Sequence, residues 1–423
     1  MKDRFVKAAG WRIPAAILAL CAAFGGATAT AAETGALSER GITILLDDYP
    51  LPLPREPIIV DGTTMVPFRA ISEALGIAVE WREETRSIHA TDRESGLAVT
   101  LALDSKVANV NGVDTELRVA PMSAGGTTLI PLSFFGRQFG AVVSWDNATR
   151  TVTIDSPPRD LDTMAFYAIS SFREAEYASA FDSVAFGWGR LDESSNFTLE
   201  GKDFYWPEPA GEVTPQSLVD GVSAQGNTSY FMVFASDAAG ELTAVLEDES
   251  LAEDTIRQIV ATASERRFAG VMLDFEGLGL TGDAEAVQEQ YNVFVEKLAS
   301  ATKAAGLRLA IAVHPPNSVF RGYDYKTLAS LSDELIVMAY AYEGEKSPEP
   351  MRRVDEAIRL ALDDVPAEKL MLGVSMGSEN AASLDAKIGL AKRYSLKGVA
   401  VWRIGLIGEE AFRVMRAEVR EAT

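Results

Sequence analysis

Histidine and cysteine are nearly absent from this chain. Two histidines, His89 and His314, and one cysteine, Cys21, stand among 423 residues. So few nitrogen and sulfur donors leave no basis for a clustered metal site, and no metal or other cofactor is expected. Positive charge is also scarce: 39 Lys and Arg face 61 Asp and Glu, for a formal net charge of −22. That balance argues against nucleic acid, whose phosphates need a basic face. It argues equally against anionic lipid or a polyanionic polymer held by charge alone. A neutral substrate is easier to accommodate.

A long apolar run is missing too. The longest candidate, Ile13 to Gly26, is short and alanine-rich for a membrane span. Lys2, Arg4, Lys7 and Arg12 precede it, and Ala29-Thr30-Ala31 supplies a small-residue cleavage site, so residues 1–32 read as an export signal. Cys21 lies inside this run after Leu20, a poor neighbour for lipid modification. The mature chain would then hold no cysteine, hence no disulfide and no thiol chemistry. Export across a bacterial membrane is expected, to the medium or the cell envelope.

The length suggests two or three domains with ample apolar content. A duplicated module follows the leader. GTTMVPFRAISEALGIAVEWREETRSIHA from Gly62 and GTTLIPLSFFGRQFGAVVSWDNATRTVTI from Gly126 align without gaps. Pro67/Pro131, Gly76/Gly140, Trp81/Trp145 and Arg86/Arg150 are among the identical pairs. Each copy predicts a short strand, then a helix begun by proline in its first turn and ended by glycine. A hairpin follows, turning at Arg82–Thr85 or Asp146–Thr149. Two copies imply a compact pseudo-symmetric α+β domain over residues 41–156 rather than a solenoid. Trp81 and Trp145 read as hairpin core residues, with sugar stacking as the other use.

Ser156-Pro157-Pro158-Arg159 is a stiff, polar break and reads as a linker. Over residues 160–423, eight apolar runs alternate with amphipathic stretches. The runs start at Met164, Ser183, Ser229, Gly270, Arg308, Glu334, Lys369 and Gly398. The helical stretches include one opened by a Ser250/Glu253 capping box, and others near 283–305, 350–364, 383–393 and 409–419. This pattern predicts an α/β fold, an eight-stranded (β/α)8 TIM barrel. A doubly wound sheet is the alternative, but no GxGxxG follows the first run.

The fourth run, GVMLDFEGLGL from Gly270, ends in two carboxylates before a glycine-rich loop. Residues two apart in a strand share a face, so Asp274 and Glu276 point the same way. Neighbouring carboxylates push one another toward protonation, as a general acid near neutral pH requires. Two solvated acids at a strand end are the other reading. In a barrel, chemistry belongs at the C-terminal strand ends. Those ends carry Tyr167, Trp188, Asp274 with Glu276, His314, Tyr340 and Trp402. Aromatic rings around a carboxylate pair suit a pyranose, whose faces stack and whose hydroxyls need acceptors. His314, before Pro315-Pro316, is either a subsite donor or a structural turn residue. Glu343 and Glu345 read as solvated loop acids.

The duplicated module resembles the small domain named after the N-terminal stalk of copper amine oxidases, without any copper-ligand cluster. It reads as a spacer or a wall-binding unit. The barrel resembles family 18 glycoside hydrolases, in particular their bacterial spore and cell-wall members. FAGVMLDFE matches the strand-four motif F-D-G-x-D-x-D-x-E, Met338-Ala339-Tyr340 matches MxY, and GVAVWRIG carries the strand-eight tryptophan. The resemblance implies substrate-assisted retaining hydrolysis of a GlcNAc-containing glycan, such as peptidoglycan or chitin-type oligomers, by a monomer without a metal. Glu276 would be the acid, Asp274 and Tyr340 would handle the 2-acetamido group, and Trp402 would floor the sugar. Tyr167, Trp188 and His314 would line the cleft. Ala269 and Met272 replace the motif's early aspartates, and Ala341 replaces the aspartate after the tyrosine. A non-catalytic, lectin-like barrel is the alternative function, motivated by Met272 and Ala341.

Overall fold

In the computed structural model, the described residues run from 41 to 420, apart from 343 and 345. The expected leader with Cys21, and the loop acids Glu343 and Glu345, lie outside the described residues. No helix among the described residues is long and apolar enough to cross a membrane.

The N-terminal module is built from two strand–helix–hairpin units. Strand Thr63–Pro67 leads into helix Phe68–Ala74 and then strands Ala78–Arg82 and Ser87–Thr91. Strand Thr127–Pro131, helix Leu132–Phe139 and strands Val142–Asp146 and Thr151–Asp155 repeat the order. Each proline sits one position earlier than expected, as the N-cap residue. Proline suits that place because its fixed φ turns the chain into the helix. Gly140 closes the second helix at φ 74°, a left-handed conformation that a side chain would resist. The first two strands of the units pair antiparallel, Ile130 against Val66, and Phe68 meets Phe135 edge-on at 5.8 Å. This apolar seam makes one core from two copies.

The tryptophans diverge from expectation. Trp81 is half-buried and its indole N–H donates to Glu83 at 2.6 Å. Trp145 is 40% exposed on a sheet-edge strand, so it is not a core residue. The break is irregular only over Ser156–Pro158, because Arg159 opens a two-residue strand that pairs with Val419–Arg420. Arg159 is buried, and its guanidinium bonds Asp92 at 2.9 Å, Glu94 at 3.3 Å and the Leu75 carbonyl.

Eight parallel strands then close on themselves. They are β1 (Asp162–Tyr167), β2 (Ser183–Leu191), β3 (Thr228–Ser236) and β4 (Gly270–Glu276), followed by β5 (Arg308–Val313), β6 (Glu334–Val337), β7 (Leu370–Ser375) and β8 (Gly398–Trp402). Strand β1 pairs with both β2 and β8, which closes the ring. The (β/α)8 barrel expected from the eight runs is therefore present. Alternation divides each strand between two cores. Met164, Met232, Met272, Ala310, Met371 and Ala400 fill the lumen. Phe186, Phe231, Leu273 and Ile311 face the helices.

The helices start where side chains satisfy their free N–H groups. Asp283 caps Ala284–Ala304, and Thr214 and Asn380 form capping boxes with Ser217 and Ser383. Helix Glu249–Glu265 is capped by Asp248, which accepts from Leu251 N–H at 3.0 Å, rather than by the Ser250/Glu253 pair. Glu253 instead faces Lys297 at 3.1 Å. Barrel and N-terminal module touch through helix Ala381–Arg393. Arg393 donates to the carbonyls of Leu46, Tyr49 and Pro50 at 3.0, 3.1 and 3.2 Å.

Candidate active site

The C-terminal end of β4 puts Asp274 and Glu276 on the lumen side of the strand, above Met272. Asp274 is only 4% exposed, and its Oδ1 has no hydrogen-bond partner among the described residues. Below it, Met272 lies in register with Met232 and Ala310, a wholly apolar layer. Burial first, and the Glu276 charge second, push the Asp274 carboxyl well above the usual carboxylate range. Glu276 is half-buried, and burial pushes its carboxyl up to about 7. The reading as two freely solvated acids is excluded by this burial.

Backbone contacts hold the strand end in place. The Tyr323 hydroxyl donates to the Phe275 carbonyl at 2.8 Å, and Asp237 N–H donates to the Glu276 carbonyl at 2.9 Å. The glycine-rich loop that follows is needed sterically. A Cβ at Gly279, whose φ is 68°, would lie 2.3 Å from the Gly322 nitrogen.

Tyr340 and Trp402 join the same mouth. Both are half-buried against the lumen core. Tyr340 stands past the end of β6, and Gly373 of β7 makes room for its ring, because a Cβ there would approach Cε1 to 3.2 Å. Trp402 ends β8, and the peptide bond after it is cis. Its ring meets Phe166 edge-on at 5.5 Å and lies 6.3 Å from Phe204. Phe204 in turn stacks on Phe234 at 4.2 Å.

Phe166, Phe204 and Phe234 were not among the expected lining residues. Phe234 shares the parity of Tyr230 and Met232 along β3, a signal the sequence did contain. Phe204 comes from the loop after β2 and fills space left by Gly187, where a Cβ would lie 3.1 Å from its ring. No periodic pattern announces it.

Tyr167 and Trp188 do not line the mouth. Tyr167 is 2% exposed and Trp188 fully buried, both on the helix side of the barrel. They meet edge-on at 5.8 Å, and Trp188 packs against Phe186, Trp206 and Phe268. The cause is parity: Phe166 and Ala185 face the lumen, so Tyr167 and Trp188 face out. His314 follows β5, stacks on Phe320 at 4.0 Å, and meets Tyr323 edge-on at 5.8 Å. Burial lowers its pKa to about 4, so the ring is neutral at neutral pH. These contacts fit the structural alternative for His314. Among the described residues, no group of three or more His, Cys, Asp or Glu side chains is arranged to hold a metal ion.

Comparison with known proteins supplies a second line. The family model described as "Glycosyl hydrolases family 18" matches residues 226–379, and that of the "Copper amine oxidase N-terminal domain" matches residues 45–154. The chain is 23% identical over 213 residues to a cortical fragment-lytic enzyme of Bacillus anthracis, covering 44% of this chain and 48% of that protein. It is 24% identical over 179 residues to the one of Bacillus subtilis (strain 168), covering 38% and 40%. The chain thus spans less than half the length of these relatives. Among solved structures, the spore cortex-lytic enzyme SleL of Bacillus cereus aligns with TM-score 0.51 at 15% identity, covering 63% of this chain and 76% of that one. A chitinase from Chromobacterium violaceum aligns with TM-score 0.52 at 18% identity, covering 62% and 100%. At such identities the structural likeness establishes the barrel fold alone.

Proposed function

We propose that this chain, whose barrel matches family 18 glycosyl hydrolases and whose N-terminal module matches that of copper amine oxidases, is an exported glycosidase. Its substrate would be a β-linked, GlcNAc-containing glycan, with peptidoglycan first and chitin-type oligomers second. The observation that carries this reading is Glu276: a half-buried carboxyl at a barrel strand end, with its pKa lifted to about 7. Such a group can give a proton and take one back near neutral pH. The likeness to the cortical fragment-lytic enzymes supports the choice of glycan.

The reaction is the substrate-assisted one that the resemblance to family 18 implies, with these groups in its roles. Glu276 protonates the glycosidic oxygen as the bond to the anomeric carbon breaks. The acetamido oxygen of the same sugar attacks that carbon, so no enzyme nucleophile is required. Asp274 accepts a hydrogen bond from the acetamido N–H through a carboxyl oxygen, a contact that its protonated form also makes. Tyr340 donates its hydroxyl to the acetamido oxygen, and Trp402 stacks under the ring. Glu276, now ionised, takes a proton from the water that opens the cyclic intermediate, and configuration is retained. The N-terminal module would serve as spacer or wall anchor.

The test is reducing-end release from purified peptidoglycan and from GlcNAc oligomers by wild type and Glu276→Gln. Loss of at least ~100-fold in the variant, with the fold intact by circular dichroism, is the expected outcome. A second reading rests on Met272 and Ala341; above Met272, Asp274 Oδ1 has no partner among the described residues. Wild-type protein that binds one of these glycans but releases nothing would replace the hydrolase with the lectin-like barrel.

A further inference from the structure

The chain leaving β6 is irregular from Met338 onward, yet it has to hold Tyr340 still. The next residue, Ala341, has φ 59°, a left-handed conformation that a Cβ disfavours. Something must hold it there. Its N–H donates to Glu349 Oε1 at 2.8 Å, and the Tyr342 N–H lies near the same carboxylate. Glu349 is 4% exposed and is itself held: its own N–H donates to Glu379 Oε1 at 2.8 Å. Glu379 completes the chain by accepting from Lys387 Nζ at 2.7 Å, and Lys387 reaches back to the Glu349 carbonyl at 3.5 Å.

This is an expensive arrangement. The side chains of Lys387 and Glu379 are 2% and 1% exposed, and a buried pair of this kind gains little net stability over apolar residues of the same size. What it provides is a single defined position for Glu349. The Tyr342 side of the turn is tied separately. Its hydroxyl donates to Asn317 Oδ1 at 2.9 Å, and the Arg353 guanidinium lies over its ring at 4.0 Å. Two elements far apart in sequence, the segment before helix Met351–Leu362 and helix Ala381–Arg393, thus converge on the residue after Tyr340.

We propose that Glu349 is a positioning residue for the proposed reaction: its carboxylate, fixed by Glu379 and Lys387, clamps the turn at Ala341–Tyr342 and so aims Tyr340 at the substrate's acetamido oxygen. This rests on the glycosidase reading above, because the turn has a catalytic consequence only if Tyr340 has one. The requirement is for a hydrogen-bond acceptor at the reach of a glutamate side chain. Charge as such is not required.

Three variants of the full chain, assayed on GlcNAc oligomers, test it. Glu349→Asp keeps the acid and its burial but withdraws the carboxylate from the Ala341 N–H. It should lower kcat by about 10- to 100-fold with KM nearly unchanged, since misaimed groups cost chiefly in the transition state. Glu349→Gln keeps the acceptor and its reach and should stay within about threefold of wild type. Glu334→Gln, at the opposite end of the same strand, removes the charge from the half-buried ion pair with Arg308 (2.8 Å) without touching the turn. It should lower Tm while kcat stays within about twofold. Hydrogen exchange at the Ala341 amide should quicken in Glu349→Asp alone.

If wild type is active and Glu349→Asp keeps its kcat, the positioning role is wrong and the glycosidase reading stands. The role is equally wrong if Glu334→Gln loses kcat in proportion to its Tm, because stability then explains both variants. If wild type hydrolyses nothing, the glycosidase reading falls and the role of Glu349 falls with it.

Discussion

Trp188 and Trp402 both stand toward the C-terminal ends of barrel strands, and their fates are opposite. Trp188 of β2 is fully buried among Phe186, Trp206 and Phe268, on the helix side of the barrel. Trp402 of β8 is half-buried at the mouth, beside Phe166 and Phe204. The residue type is the same and so is the strand end. Parity separates them, since alternate side chains leave a strand on opposite faces. The β4, β6 and β8 exits therefore supply the mouth with Asp274, Glu276, Tyr340 and Trp402. The β1 and β2 exits contribute lumen-facing Phe166 and an aromatic layer turned away from it.

The largest effects should come from exchanging the two tryptophans for alanine. Trp188→Ala removes a large, fully packed side chain and should cost ~3–5 kcal/mol of stability by denaturant unfolding. The protein that remains folded should keep its KM. Trp402→Ala should do the reverse: kcat/KM falls by about 100-fold while the unfolding midpoint moves much less. Should Trp188→Ala spare stability and raise KM, the assignment of faces is wrong.

The pH response sharpens the comparison at its charged end. As the acid of the proposed reaction Glu276 has to be protonated, so activity should fall as pH rises through about 7. Stability should move in the same direction. Both Glu276 and Asp274 hold protons more tightly folded than unfolded, so the folded state binds more protons between their ordinary range and about 7. Stability is then greatest at the acid side of this window and declines as pH rises through it, by on the order of a few kcal/mol. Glu276→Gln should flatten the decline and melt above wild type at pH 8. A wild-type melting temperature that rises from pH 5 to 8 would contradict the buried, proton-holding pair.

The same parity explains what the sequence made legible. The eight runs could be read because strands buried on both faces are almost continuously apolar. The DFE ending could be read because its two acids interrupt such a run. The identity of the mouth aromatics was less accessible. Tyr167 drew attention as a strand-end tyrosine, whereas the inward residue is Phe166, one position earlier. Phe204 depends on a loop folding back over Gly187, and Glu349 on contacts between segments that no local spacing joins. Even the two copies of the N-terminal repeat part company at their shared tryptophan. Both lie on edge strands, yet Trp81 packs half-buried against the core of the module whereas Trp145 is 40% exposed.

The smallest effect tests the outward face most finely. The Tyr167 hydroxyl is buried, pushed up to about 12 by that burial, and has no hydrogen-bond partner among the described residues. An unpaired buried hydroxyl costs free energy that its removal should return. Tyr167→Phe should therefore leave activity unchanged and stabilise the protein by up to about 1 kcal/mol in denaturant unfolding. The ring, and with it the contact to Trp188, is retained. A loss of similar size would carry a different message. It would mean that the hydroxyl finds a partner in the small pocket it shares with Trp188, Phe172, Val213 and Leu218. Water is the simplest such partner, because a few bound molecules can satisfy buried polar atoms at little cost. The sign of this one substitution thus decides whether the outward layer is dry packing or a hydrated seam.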